Sequence, residues 1–476
     1  MVKSMDALLV EQGFIFSQVD SSTLDFRNES ELNVKFLKKI LDESNWHHEW
    51  QGRLLTVGDT FCNETEWLTL CAVGGRGRTE MCGYFDEENS VSLEMLDLYI
   101  SGLVRQLNRL GCKTIMSCDG EGERRSNIVF ATENDTERAA LLMAEVGLKY
   151  RVKLARKTIV ILKGREELLG FASLLNELSG NLSVISTEHL ERAVFEDVFE
   201  ELLEIPGVSG CESVIRNHVM KKLATLTDEM TVDDYGNILG EVTFGRVSRE
   251  PSLTILLNSH LDVVDEIDVG REILKCGPVW ISSTGILGAD DRAGIGVILH
   301  TLKQLQRMEF RAPVKVKIAF TVEEEIGLCG ARAVSAEFLE DVQAAFVVDR
   351  KGRGDIVTGT RGIDFCDELF GAMLALIGNL GDDENRWEPT LGGSSDTRIW
   401  AQQGIQSVNL SVGYQYEHTS REELNLDDAF ATANLLKKVF LHLDLLNSAL
   451  RGIRRAKPNT DECLRQNRRK AISAAS

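Results

Sequence analysis

The sequence predicts an α/β protein. Residues 195–447 are expected to form a three-layer sandwich around a mostly parallel central sheet, and residues 1–190 an additional mixed α/β module. Three observations carry this reading. The segments "LTILLNSH", "VKVKIAF" and "AAFVVD" (Leu253–His260, Val314–Phe320, Ala344–Asp349) are nearly continuous apolar runs, as central strands covered on both faces require. Between the first two lies "AGIGVILHTLKQLQ" (Ala293–Gln306), a helix pattern with one apolar face. Strands that alternate with helices in this way argue for parallel pairing, in which ligands sit beyond the carboxyl ends of the strands.

In chain order, "SLEMLDLYISGLVRQLNRLG" (Ser92–Gly111) places Leu93, Leu96, Ile100, Leu103, Val104 and Leu107 on one helical face and stops at a glycine. "SNIVFAT" and "RKTIVILKG" read as strands, and "TERAALLMAEVGL" and "EELLGFASLLNEL" as helices. The glycine-rich "VGGRGRTEMCG" (Val73–Gly83) does not follow a clear strand and open a helix, so it reads as an ordinary loop rather than a phosphate cradle. From Phe195 an opening helix leads through "LLEIPGVSG" to a second helix, "CESVIRNHVMKKLATL", and then to the strand and turn of "MTVDDYGNILGEV". Residues 448–476 form a basic tail: Arg451–Lys470 holds eight basic residues against two acidic ones, as expected of a solvated terminus.

A formal net charge of −21 disfavours nucleic acid or an anionic membrane as partner, because both repel an acidic surface. No apolar run approaches the roughly 18 residues of a membrane span, and the N-terminal segment lacks a signal pattern. The ten cysteines are scattered without a CxxC pair. They read as reduced, mostly buried thiols of a cytoplasmic protein, and their spacing does not support a zinc site.

The chemistry gathers at strand ends. His260 and Asp262 follow "LTILLNS", Asp290 and Asp291 follow "STGILGA", and Glu323, Glu324 and Glu325 follow "VKIAFTV". Asp349 follows "AAFVV", and His418 lies in "GYQYEHTSREEL". A lone aspartate after a strand is usually a turn or cap, and an isolated glutamate triplet is usually a solvated acidic turn. Two histidines with several carboxylates on one sheet edge instead make a nitrogen–oxygen donor set for a divalent metal, zinc first. In the His-x-Asp pair, Asp262 is placed to orient the His260 imidazole.

The blocks "NSHLDVVD", "LGADDRAGIG", "TVEEEIGLCGA", "VVDRKG", "GGSSDT" and "EHTSREEL" resemble, in this order, the co-catalytic di-zinc exopeptidase superfamily. That group includes the compact zinc aminopeptidases, peptidase T, the glutamyl aminopeptidases and the aminoacylase and carboxypeptidase G relatives. The resemblance covers about residues 200–445. It implies two Zn2+ ions, with Co2+ or Mn2+ as substitutes, bound by His260, Asp290, Glu325, Asp349 and His418. Asp290 would be shared, Asp349 would join His260, and His418 would join Glu325. Glu324 would be the general base and Asp262 the residue orienting His260, while Asp291 and Glu323 take no catalytic part. An extended triplet would turn Glu324 and Glu325 to opposite sides.

Asp349 and His418 are 69 positions apart, and Asp262 and Asp290 are 28 apart. Neither gap holds a domain of about 100 residues, so the uninterrupted domain looks most like the compact aminopeptidases, although "VVDRKG" and "GADDRAG" look more like the other branches. The expected activity is release of N-terminal residues from short peptides. The alternatives are an amidohydrolase or deacylase of N-acyl amino acids, a carboxypeptidase of the same superfamily, or a catalytically silent scaffold. By analogy the protein would be a homo-oligomer.

Overall fold

The structure is a computed structural model. It describes residues 2–44, 46–58, 62–72, 76, 92–178, 182, 185–245, 253–310, 312–381 and 386–456. The chain divides into two compact units, Met1–Glu191 and Arg192–Ser476, and the division falls within the helix Thr187–Leu203.

In the first unit, strands Thr114–Cys118, Asn127–Phe130, Thr158–Ile161 and Tyr150–Lys153 form an antiparallel sheet in that spatial order. The helices Glu133–Glu145 and Glu167–Glu177 lie where the sequence places them, and the first opens with a capping box on Thr132 and Asp135. The expected continuous helix over Ser92–Gly111 is corrected: a 3-10 turn at Leu93–Met95 is followed by an α-helix only from Ser101 to Arg109. All six apolar residues of the pattern are buried, yet the helix is interrupted where Leu96 turns extended at φ −98° and ψ 142°. The Leu93 N–H donates to Asn33 Oδ1, and the Asp97 carboxylate accepts from the Asp119 N–H. Most of the glycine-rich loop Val73–Gly83 lies outside the described residues.

The second unit is built on a nine-stranded sheet. Its strands are β1 (Glu229–Val232), β2 (Ile238–Phe244), β3 (Thr254–His260), β4 (Val314–Thr321), β5 (Ala344–Arg350), β6 (Asp355–Thr360), β7 (Ile363–Asp364), β8 (Glu388–Leu391) and β9 (Gln406–Ser411). The spatial order is β1-β2-β4-β3-β5-β9-β6-β7, with β8 paired to β6. Parallel pairing joins β4, β3, β5 and β9, whereas β1, β2 and β6 enter antiparallel. The sheet is therefore parallel at its centre and mixed at its edges, where a short turn at Asp233–Asn237 returns the chain directly from β1 to β2.

Alternation along the central strands fills two cores. Ile255, Leu257, Phe346 and Val348 face one core together with Ile295 and Leu299 of helix α1 (Ala289–Gln306) and Leu436 of helix α2 (Leu426–Leu441). Leu256, Ala345 and Val347 face the other, with Ile399 and Trp400. Both faces are covered, which is why these strands read as unbroken apolar runs.

Among the seven described cysteines whose surroundings are assigned, only Cys71 and Cys112 are buried. Cys211 and Cys276 lie exposed in a turn and at a hairpin end, which corrects the expectation of mostly buried thiols. The helix Leu443–Ala456 extends into the segment expected to be tail, and residues 457–476 lie outside the described residues. Among the described residues no helix is long and apolar enough to cross a membrane.

Candidate metal centre

Parallel strands deliver the candidate residues to one edge. His260 is the last residue of β3, Asp349 is the next-to-last of β5, and β4 stops at Thr321, two residues before the glutamates. Asp290 lies in the first turn of α1, after Gly288 in the left-handed region at φ +75°. His418 lies on the connection between the short paired strands Tyr414–Gln415 and Glu423–Asn425, beyond β9.

Two groups of donor atoms result: His260, Asp290 and Asp349, and Asp290, Glu325 and His418, with the atoms of each group within 4.8 Å of one another. Asp290 belongs to both and divides its carboxylate between them. Its Oδ1 lies 3.2 Å from His260 Nε2 and its Oδ2 lies 3.2 Å from His418 Nε2. Asp349 Oδ1 is 3.8 Å from His260 Nε2, and Glu325 Oε1 is 3.0 Å from His418 Nε2. The structure thus brings together all five residues expected as ligands.

A buried scaffold holds them. Asp262 is fully buried, and its Oδ1 lies 3.3 Å from His260 Nδ1. The same carboxylate accepts from Ser209 Oγ at 2.7 Å and from the backbone N–H groups of Glu324 and Glu325 at 3.0 and 3.2 Å. It fixes the backbone of the glutamate pair, and it flanks the imidazole together with the Asp262 main-chain O, which lies 3.0 Å from His260 Nδ1. The Tyr414 hydroxyl donates to Asp349 Oδ1, and Asn409 brackets the Asp349 backbone through both its N–H and its carbonyl. Asp291 accepts from the N–H groups of His260 and Gly294.

The triplet is not extended. Glu323 takes φ +52°, its N–H donates to Glu212 Oε1, and its carboxylate accepts from the Tyr235 hydroxyl at 2.6 Å. A left-handed residue outside glycine is uncommon and must be held by its surroundings. Here this kink, rather than strand alternation, aims the two following glutamates.

The charge distribution fits a cation. Burial, with repulsion from Asp349, Asp396 and Glu325, pushes the Glu324 carboxyl up to about 10. Burial, with Asp290 and Asp349 nearby, pushes Glu325 up to about 7. Burial also raises Asp349, helped by Asp290. Burial is the main cause in all three, with neighbouring carboxylates adding to it, whereas the two histidines hold Asp290 low; a divalent ion would favour the charged form of the raised groups. Two imidazoles and three carboxylates are a donor set for zinc and its neighbours in the first transition row.

Three buried acids escaped the sequence reading, although each lies in or beside a quoted block. Asp396, in "GGSSDT", accepts from Thr321 Oγ1 and Asn258 Nδ2. Glu212 accepts from the N–H groups of Gly210 and Glu323, and Glu422, in "EHTSREEL", from those of Gly288 and Asp290. Nothing in the sequence separates the buried Glu422 from its half-buried neighbour Glu423.

Residues 237–441 match the model of peptidase family M28. All of the ligand candidates fall inside the matched segment. Carboxypeptidase G2 of Pseudomonas sp. (strain RS-16) is 30% identical over 135 residues, covering 27% of this chain and 32% of its own. Peptidase T of Geobacillus thermodenitrificans is 26% identical over 184 residues, covering 32% and 44% respectively. The crystal structure of aminopeptidase PepT from Bacillus cereus superposes with a TM-score of 0.45 at 18% identity, covering 54% of this chain and 98% of that one. The chain spans less than half the length of the curated relatives it matches. The M28 match and the peptidase relatives bear out the resemblance carried by the six sequence blocks.

Proposed function

We propose that this protein is a metal-dependent exopeptidase, an aminopeptidase that releases N-terminal residues from short peptides with two zinc ions. The observation that carries the reading is the divided carboxylate of Asp290, which offers one oxygen to the His260 side and the other to the His418 side. His260, Asp290 and Asp349 would hold one ion, and Asp290, Glu325 and His418 the other. When bound, the ions would acidify water and polarise the scissile carbonyl. Glu324 would take the proton of the attacking water on a carboxylate oxygen and return it to the leaving amine nitrogen. Asp262, through the N–H groups of Glu324 and Glu325, holds the base and a ligand in fixed register. The M28 match and the relative named peptidase T support peptide hydrolysis.

The relative named carboxypeptidase G2 favours a second reading, hydrolysis at a C-terminal residue or of an N-acyl amino acid. One panel separates the two: free-amine dipeptides and tripeptides, their N-acetylated forms, and N-acetyl amino acids. The zinc-loaded protein is expected to cleave only substrates with a free amine. Glu324→Gln should lower kcat by about 10²–10⁴-fold while binding the same amount of metal. Cleavage of the acylated compounds would move the protein to the second reading. Full activity in Glu324→Gln would remove the assigned base.

A further inference from the structure

We infer that Glu422 is a positioning residue that locks the Asp290 turn, so that the two oxygens of Asp290 stay divided between the two histidine sides. The inference rests on the two-metal reading and adds to it a residue outside the ligand set. Glu422 is buried, with 3% of its surface exposed. Its Oε2 accepts from the Gly288 N–H at 2.7 Å and its Oε1 from the Asp290 N–H at 3.0 Å. The two donors flank Ala289 at the start of α1, so a single carboxylate spans the turn that presents Asp290.

The geometry couples this contact to the second histidine. His418 and Glu422 lie four residues apart on one loop, and both reach Asp290: His418 through the side-chain Oδ2, Glu422 through the backbone N–H. The loop is itself anchored, because the Glu422 N–H donates to Thr419 O and the next residue, Glu423, pairs with Ile281 in a small antiparallel sheet. Asp290 is thereby held at its main chain as well as approached at its side chain. A carboxylate suits the position because both of its oxygens accept and both partners donate. A glutamine would set an NH2 group against one of the two N–H donors, leaving that contact unmade in a buried place. An aspartate keeps both acceptors but is one methylene shorter.

The test is calorimetric titration of metal-free wild type, Glu422→Gln, Glu422→Asp and Asp349→Asn with Zn2+. It is paired with the visible spectrum of each protein loaded with Co2+ and with thermal unfolding of each metal-free form. Wild type is expected to take two ions. Glu422→Gln should lose affinity for both, by about 10–100-fold each, with an altered Co2+ spectrum and an unfolding midpoint that falls by no more than a single unmade buried hydrogen bond explains when metal-free. Asp349→Asn should weaken one ion only, because Asp349 belongs to one group, and Glu422→Asp should recover part of the lost affinity. Wild-type affinity and spectrum in Glu422→Gln would overturn the inference while leaving the metal reading intact. So would a metal-free unfolding midpoint that collapses in both Glu422 variants, since Glu422 would then be an ordinary structural residue. A wild type that binds no metal would overturn the metal reading and this inference with it.

Discussion

Replacing Asp262 by asparagine is the sharpest test of how the centre is held. The carboxylate has four donors around it: Ser209 Oγ, the N–H groups of Glu324 and Glu325, and His260 Nδ1. Asparagine keeps the shape but supplies one acceptor oxygen, so about two of these contacts turn into donor against donor. Hydrogen bonds to a charged acceptor contribute roughly 1.5–3 kcal/mol each, so about 3–6 kcal/mol is at stake. Whichever oxygen becomes the NH2 group, one disturbed contact belongs to the centre: Oδ1 faces His260 Nδ1 and the Glu324 N–H, and Oδ2 faces Ser209 Oγ and the Glu325 N–H. The loss therefore divides between metal affinity and stability. Affinity should fall about 10–100-fold, which is roughly 1.4–2.7 kcal/mol, and the remainder should appear as lower stability of the metal-free protein. Zinc titration by calorimetry and urea unfolding of the metal-free form read the two shares separately. If Asp262→Asn changed neither quantity, the reasoning that the buried carboxylate positions both the imidazole and the glutamate backbone would be refuted.

Further perturbations test the packing and the charges around the centre. A Cβ on Gly294 would sit 2.0 Å from Val348 O and 2.6 Å from the Asp291 carboxylate. Gly294→Ala should therefore destabilise the protein at or above the upper end of the roughly 1–3 kcal/mol typical of overpacking, and a wild-type urea midpoint would contradict the close contact of α1 with β5. Burial alone would raise the Asp341 carboxyl, but the Lys317 hydrogen bond and charge, with Lys315, hold it below the ordinary 3.8. A depressed acid adds stability above its unfolded value and loses it as pH falls through the folded one. Asp341→Asn should accordingly lower Tm near neutral pH and approach wild type below about pH 4, and a gap that widened in acid would reverse the sign. The indole N–H of Trp400 donates to Asn258 Oδ1 in the second core. Trp400→Phe should lose about 1–3 kcal/mol by stranding that oxygen, as read by chemical unfolding.

Individual residues show how far the sequence could be read. His260, Asp349 and the glutamate pair were legible because each follows a patterned apolar run whose end chain polarity sends to one edge of a parallel sheet, whereas Asp290 and His418, at a helix start and on a loop, were legible through the resemblance of their sequence blocks. The triplet was only partly legible. Position and charge singled out Glu324 and Glu325, but the left-handed Glu323 depends on Tyr235 and Glu212, 88 and 111 residues away in the chain. The helix expected across Ser92–Gly111 had the correct apolar face and the wrong continuity: Leu96 turns extended, and around it Asn33 Oδ1 accepts from the Leu93 N–H and the Asp97 carboxylate from the Asp119 N–H.

By itself, the sequence determined the local terms: which segments are buried on both faces, where they end, and which side chains with metal-ligand chemistry stand near those ends. These follow from apolar periodicity and from residue chemistry, and both are readable one segment at a time. Only the tertiary structure decided that Asp290 faces two histidines with its two oxygens. It also decided which further acids are scaffold: Glu212, Asp396 and Glu422 have the same composition as any surface carboxylate. A carboxylate's role is set by the donors that surround it, and those donors come from segments that only folding brings within hydrogen-bonding distance.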